Sequence, residues 1–158
     1  MANKNDEILC SIQKNPYYKI AVMASEFQGH TIIHVREMFM HSDTEEWMPS
    51  KRGIAISRQN FKELKKTINK IDLTQDQRSE DLILGVIQLN THKRIVISRP
   101  GKENKRVQKY NIKDLLDIRT FFQKAGASDE WLPGPGIAIA FERAGELVAL
   151  INEAEIST

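Results

Sequence analysis

The stretches IIHVREMF (residues 32–39) and LLDIRTFF (residues 115–122) follow one pattern, a strand-like apolar segment carrying an arginine with an aromatic residue three positions after it. Working outward from them, ILCSIQKNPYYKIAV (8–22) lies over ILGVIQLNTHKRIVI (83–97), with Ile12 over Ile87, Gln13 over Gln88 and Asn15 over Asn90. After an insertion of about eight residues in the second copy, Arg36 falls on Arg119. EEWMPSKRGIAIS then falls on DEWLPGPGIAIA with a slip of one residue, and the register continues with Leu64 over Leu147 and Ile68 over Ile151. Self-similarity on this scale means two copies of one structural unit.

Each unit reads as strands followed by one helix. In KIAVMASEF, alternation sends Ile20, Val22 and Ala24 to one face and Lys19, Met23 and Phe27 to the other. A Gln28-Gly29 turn follows, and TIIHVRE separates Ile33 and Val35 from Ile32, His34 and Arg36. Glu46 to Pro49 and GIAIS read as two further short strands divided by a turn from Pro49 to Gly53. Ser57 suits an N-cap, after which Phe61, Leu64, Ile68 and Ile71 recur at helical spacing. Ala144, Leu147, Val148 and Ile151 make the matching stripe in the second unit.

DLTQDQRSED is polar enough for a solvated linker, which divides the chain into a first unit (1–72), a linker (73–81) and a second unit (82–158). A four-stranded sheet with one helix buries too little apolar surface to be stable alone. The expected fold is therefore α+β: two repeats of an antiparallel four-stranded sheet followed by a helix, packed helix on helix as an intramolecular pseudo-dimer. The chain would be a monomer acting as a pair.

With 41% hydrophobic and 28% charged residues in 158, a packed core is expected. Cys10 stands alone, so no internal disulfide can form, and MANKNDEIL lacks the basic start and apolar run of a signal peptide. A reducing, cytoplasmic setting is expected, nucleoid-associated in a bacterium and nuclear in a eukaryote. No apolar run approaches the roughly 20 residues that span a bilayer.

The net charge of +2 conceals segregation: Lys93, Arg94, Arg99, Lys102, Lys105, Arg106, Lys109 and Lys113 face only Glu103 in their stretch, whereas acids outnumber bases from Asp114 onward. No phosphate-cradling glycine loop or nucleophile motif occurs. His30 and His34 would lie about 13 Å apart on a strand, too far to chelate. Neither an enzyme, a metal site nor a cofactor is expected.

HTIIHVREMF, EEWMPSKRGIAIS and the helix opening RQNFKELKKTI resemble the positive cofactor 4 family of transcriptional coactivators, and LLDIRTFF with GIAIAFERAGELVALI resembles it more distantly. The resemblance covers residues 19–71 and 93–154 and implies curved antiparallel sheets, dimerised through helices, that bind single-stranded DNA with little sequence preference. Carried over, the family's aromatic at the end of the first strand falls on Phe27, and the bases flanking the turn glycine on Gln28 and His30. Its strand arginine falls on Arg36, its tryptophan on Phe39, and its basic pair on Lys51 and Arg52. In the second unit Tyr110, Lys113, Arg119 and Phe122 correspond, while Gly134 and Pro135 replace the basic pair.

A single strand offers bases to stack on rings and phosphates to pair with cations. Arg36 with Phe39, and Arg119 with Phe122, supply both chemistries. Lys19, His34 and Arg94 extend the candidate surface. RPGKENKRVQKY, inserted between the first two strands of the second unit, is expected to form a mobile basic hairpin that presents Lys105, Arg106 and Lys109 in place of the lost pair. Phe121 is assigned to the core, and Trp47 and Trp131 to structural packing. The expected partner is single-stranded DNA, in transcription regulation or in replication and repair, with contacts to that machinery. RNA binding is the alternative, as is a protein-interaction module that has lost the nucleic acid.

Overall fold

The computed structural model describes residues 6–109, 111–124 and 129–156. The first half contains β1 (Glu7–Asn15), β2 (Tyr18–Phe27), β3 (His30–Met40), β4 (Trp47–Ser57) and α1 (Arg58–Ile68). The second contains β5 (Leu82–Asn90), β6 (Lys93–Arg99), α2 (Lys105–Gln108), β7 (Leu115–Gln123), β8 (Trp131–Ala140), a 3-10 turn (Phe141–Arg143) and α3 (Ala144–Glu153). Each half is a four-stranded antiparallel meander, ordered β1-β2-β3-β4 or β5-β6-β7-β8.

The repeated residues have repeated jobs. Asn15 Oδ1 accepts the backbone N–H of Tyr17, as Asn90 Oδ1 accepts that of His92, so each asparagine closes the first hairpin of its half. Gln28 and Gly29 both take positive φ, 51° and 78°, giving the tight turn that the twist of β2 and β3 requires. Ser57 caps α1 by accepting from the Asn60 N–H.

Two expectations about the strands need correction. Glu46–Pro49 and GIAIS are not separate strands: residues 47–57 form the single strand β4, and the count of four is completed by β1. Pro49 to Gly53 is no turn either. Arg36 pairs with Gly53 and Met38 with Pro49, so the three residues between Pro49 and Gly53 face one on β3. In the second half, two residues between Pro133 and Gly136 face one on β7. The slip of one residue between the copies is thus a difference in bulge size.

The basic insertion is not a hairpin arm. It connects β6 to β7, the second and third strands, and carries α2. Arg99 closes its base through two bonds to Asp114 (2.9 and 2.8 Å) and stacks on the Phe141 ring at 3.6 Å. Asp81 accepts from the Gly101 N–H and the Asn104 amide, tying the loop to the connection between the halves.

One core serves both halves: Ile20, Val22, Ile33, Val35, Phe61, Leu64 and Ile68 join Ile95, Ile97, Leu116, Ile118, Leu147 and Ile151 in a continuous buried cluster. The helices touch each other, but each also lies on the other half's first strand, α1 on β5 and α3 on β1. Gly85 explains how closely: a methyl there would stand 2.4 Å from Thr67 Cγ2. At the equivalent place Cys10 Sγ donates to Leu150 O at 3.3 Å. Phe61, Leu64 and Ile68 each lose almost all exposure, worth about 1.5–3 kcal/mol apiece.

Candidate nucleic-acid interface

The sheet faces turned away from the core carry the candidate site. On the first sheet, register places Arg36 between Ala21 and Gly53. A methyl on Gly53 would lie 2.8 Å from Arg36 Cα and from Val35 O, so only glycine allows β3 and β4 to approach this closely. With no side chain opposite, the guanidinium lies across β4, and its Nη1 donates to Ser50 O in the bulge at 3.0 Å. Arg119 repeats this geometry opposite Gly136, donating from Nη1 to Gly134 O at 2.8 Å. The arginine and the Gly-Ile strand are therefore one device: the glycine makes room and the bulge supplies the carbonyl.

A second device is also present twice. Lys19 Nζ stands 4.7 Å from the Trp47 ring centroid, and Arg94 Cζ stands 4.2 Å from that of Trp131. Lys19 and Arg94 occupy equivalent positions in the two copies, as do Trp47 and Trp131. Trp47 pairs with Met40 and packs on Ala21, Met23 and Met38, which places its ring on the Arg36 face. Phe121 pairs with Arg94 and Pro133 and shares the Arg119 face; it lies outside the buried core, contrary to its expected assignment.

The rings expected beside the arginines project elsewhere. The β2–β3 register is unbroken from Arg36 to Phe39, so residues three apart take opposite faces, and the same holds for Arg119 and Phe122. Phe39 meets Tyr18 and Met48; Phe122 meets Lys93 and Leu132. Period two, applied to the pairs themselves, carries this information. Trp47 and Trp131, expected only to pack structurally, are the rings on the arginine faces, and their recurrence at matched positions is the sequence signal for it.

Phe27, 64% exposed, and His30 end the first face at the β2–β3 turn. Lys51 and Arg52 are exposed in the β4 bulge. Lys105 and Arg106 lie on α2, Lys109 caps it, and the exposed Lys113 donates to Gln108 O. Tyr110 lies outside the described residues. Among the described residues no group of three or more His, Cys, Asp or Glu could hold a metal ion, and no helix is long and apolar enough to cross a membrane.

Residues 15–67 match the family model described as Transcriptional Coactivator p15 (PC4). The matched residues lie wholly within the first half. A Caenorhabditis elegans protein named "Putative RNA polymerase II transcriptional coactivator" is 35% identical over 48 residues, which span 30% of this chain and 39% of that protein. A crystal structure of a PC4 homolog from Burkholderia pseudomallei superposes with a TM-score of 0.38 at 18% identity, covering 42% of this chain and 88% of that one.

The PC4 match contains the whole first-half constellation: Lys19, Phe27, His34, Arg36, Trp47, Lys51, Arg52 and Gly53. Beside the strand arginine its electrostatics differ from those of the second half. His34 bonds the Ser25 hydroxyl at 3.0 Å, and its Nδ1 lies 3.4 Å from Arg36 Nη2. Burial, then the Arg36 charge, holds its pKa below the ordinary value, against a smaller pull from Asp6. Burial also lowers the Arg36 pKa. The residue equivalent to His34 is Asp117, almost fully buried, which pairs with Arg119 at 3.1 Å and with Arg106 at 3.9 Å. The first half sets an imidazole beside its arginine; the other half sets a carboxylate there.

Proposed function

We propose that the chain binds single-stranded DNA, with little sequence preference, along the outer faces of its two sheets, the halves acting as the two subunits of a pseudo-dimer. The observation that carries this reading is the duplication of both devices: an arginine laid over a glycine, and a cation laid over a tryptophan. Such a surface suits a single strand, because a ring can stack on any base while the neighbouring cation meets the phosphate. On the first sheet the track runs from Phe27 to Lys19, nine residues of β2, or about 27 Å of strand.

The coactivator family supports a non-catalytic role in transcription regulation, with replication or repair as other uses of single-strand binding. Domain limits of 1–72 and 82–158, joined by 73–81, fit this division of labour. Lys51 and Arg52 add phosphate contacts from the β4 bulge. Arg106, held near Asp117, and the exposed Lys105, Lys109 and Lys113 extend the positive field beside the second sheet.

The test is a titration of a labelled strand of about 20 nucleotides, its duplex and its RNA equivalent at about 50 and about 200 mM salt. Single-stranded DNA is expected to bind tightest, with a log-log salt slope of roughly −3 to −4 if about four to six phosphates are neutralised. Equal affinity for RNA would move the reading to an RNA-binding regulator. Absence of salt-sensitive binding to all three would favour a protein-interaction module.

A further inference from the structure

A cleft of about 390 Å³ lies where the two halves meet, within the size range of small-molecule sites. Its floor is apolar and comes from Ile112, Leu115 and Ile139 of the second half. Its charged wall combines Lys14, Lys51 and Arg52 of the first half with Arg119. The acid in this lining, Glu37, is buried, with Lys14 at 3.6 Å and Arg52 at 3.7 Å. The lining holds four cations and that single acid, so the cleft keeps a positive excess even with Asp117 paired to Arg119.

The twofold-related place does not share these charges. Lys14 corresponds to Leu89 and Glu37 to Thr120, while Lys51 and Arg52 give way to Gly134 and Pro135. Ile112 belongs to the longer connection of the second half. The charged wall and apolar floor thus meet through the differences between the copies rather than through their likeness.

We propose that this cleft seats one nucleotide, its base on Ile112, Leu115 and Ile139 and its phosphate against Lys51, Arg52 and Arg119. This deepens the strand-binding reading and rests on it: Arg119 belongs both to the cleft and to the outer face of the second sheet, so a strand on that face reaches the cleft directly. A nucleotide joins a flat, largely apolar body to a compact anion, which are the two chemistries of the walls. An apolar ligand would leave the excess positive charge of the wall uncompensated, and an inorganic anion would leave the floor bare. The nucleotide can belong to a strand or be free.

The full chain is titrated with a labelled single strand of about 20 nucleotides, and separately with deoxyadenosine 5′-monophosphate while backbone amide NMR shifts are followed. Ile112 is 52% exposed, so Ile112→Ser is expected to fold. It should weaken the strand about fivefold with an unchanged salt slope, because a base contact and no charge is lost. The free nucleotide should shift the amides of Ile112, Leu115 and Ile139 in the wild type and not in the variant. Unchanged strand affinity in Ile112→Ser, no cleft shifts, and a persisting loss in Arg36→Ala would overturn the cleft and leave strand binding intact. Cleft shifts without any strand binding would sink the strand reading and keep a free-nucleotide site. Neither response would end both.

Discussion

Asn69 and Asn152, equivalent positions in the two copies, exchange a reciprocal pair of side-chain amide hydrogen bonds, each 2.8 Å long, between the ends of α1 and α3. Equivalent residues that bond each other mark a local twofold axis, as in an isologous dimer interface. Beside this pair, Lys65 Nζ donates to Ala154 O at 2.5 Å, and Arg143 reaches from the second half to the carbonyls of Gln13 (2.6 Å) and Lys14 (3.0 Å). The duplicated sequence closes on itself.

Separating the halves tests this closure. A fragment of residues 1–75 leaves Phe61, Leu64 and Ile68 without the second half's share of the core. Sedimentation and denaturation should find no folded monomer, only self-association or an unfolded chain. A cooperatively folding monomer would show that the halves are independent domains.

Glycine substitutions should separate sites of close approach from open ones. Gly53→Ala and Gly136→Ala drive a methyl into backbone, 2.8 Å from Arg36 Cα in one case and 2.5 Å from Ile118 O in the other. Each should cost about 1–3 kcal/mol in chemical denaturation. Gly145→Ala, in α3 with nothing within 4 Å, should be neutral or slightly stabilising. Equal effects at all three would remove the steric account of the Arg–Gly pairing.

The two arginines should contribute unequally to strand binding. Arg36 bonds a carbonyl and an imidazole, whereas Asp117 already partly neutralises Arg119. Arg36→Ala should weaken binding about tenfold, and Arg119→Ala clearly less. Asp117→Asn should tighten binding and steepen the salt slope by about 0.7. Looser binding by a folded Asp117→Asn protein would contradict the role given to this carboxylate.

His34 makes both stability and binding depend on pH. Its pKa is lowered on folding, so between the folded value and the unfolded value of 6.5 the unfolded chain binds more protons. Stability should therefore fall as pH drops through 6.5 towards the folded value, and His34→Gln should flatten that part of the profile. A phosphate on the same face favours the protonated ring, so strand affinity should rise more steeply on acidification in the wild type than in the variant. Identical profiles would remove His34 from the surface.

The pairing of two sheet-and-helix units was legible because the repeat preserves its core positions and its hairpin asparagines. The division of β4 was misread: Pro49 and Gly53 are turn residues by composition, yet in this setting they bracket a bulge that β3 holds in register. The arginines were legible from the repeat itself. Their aromatic partners were not, because Trp47 and Trp131 come from the neighbouring strand, and only cross-strand register brings them to the same face. The basic insertion read as a free arm because its anchors, Asp81 and Asp114, lie outside it in sequence.

Trp47 and Trp131 are the protein's two tryptophans, and both lie under cations on the candidate faces. Intrinsic emission during titration with a single strand, in the wild type and in Trp47→Phe and Trp131→Phe, reports each face separately. Saturable quenching from both tryptophans, weaker with duplex and reversed by salt, is the expected result. A strand that binds by anisotropy while neither tryptophan responds would place the nucleic acid elsewhere and contradict the account.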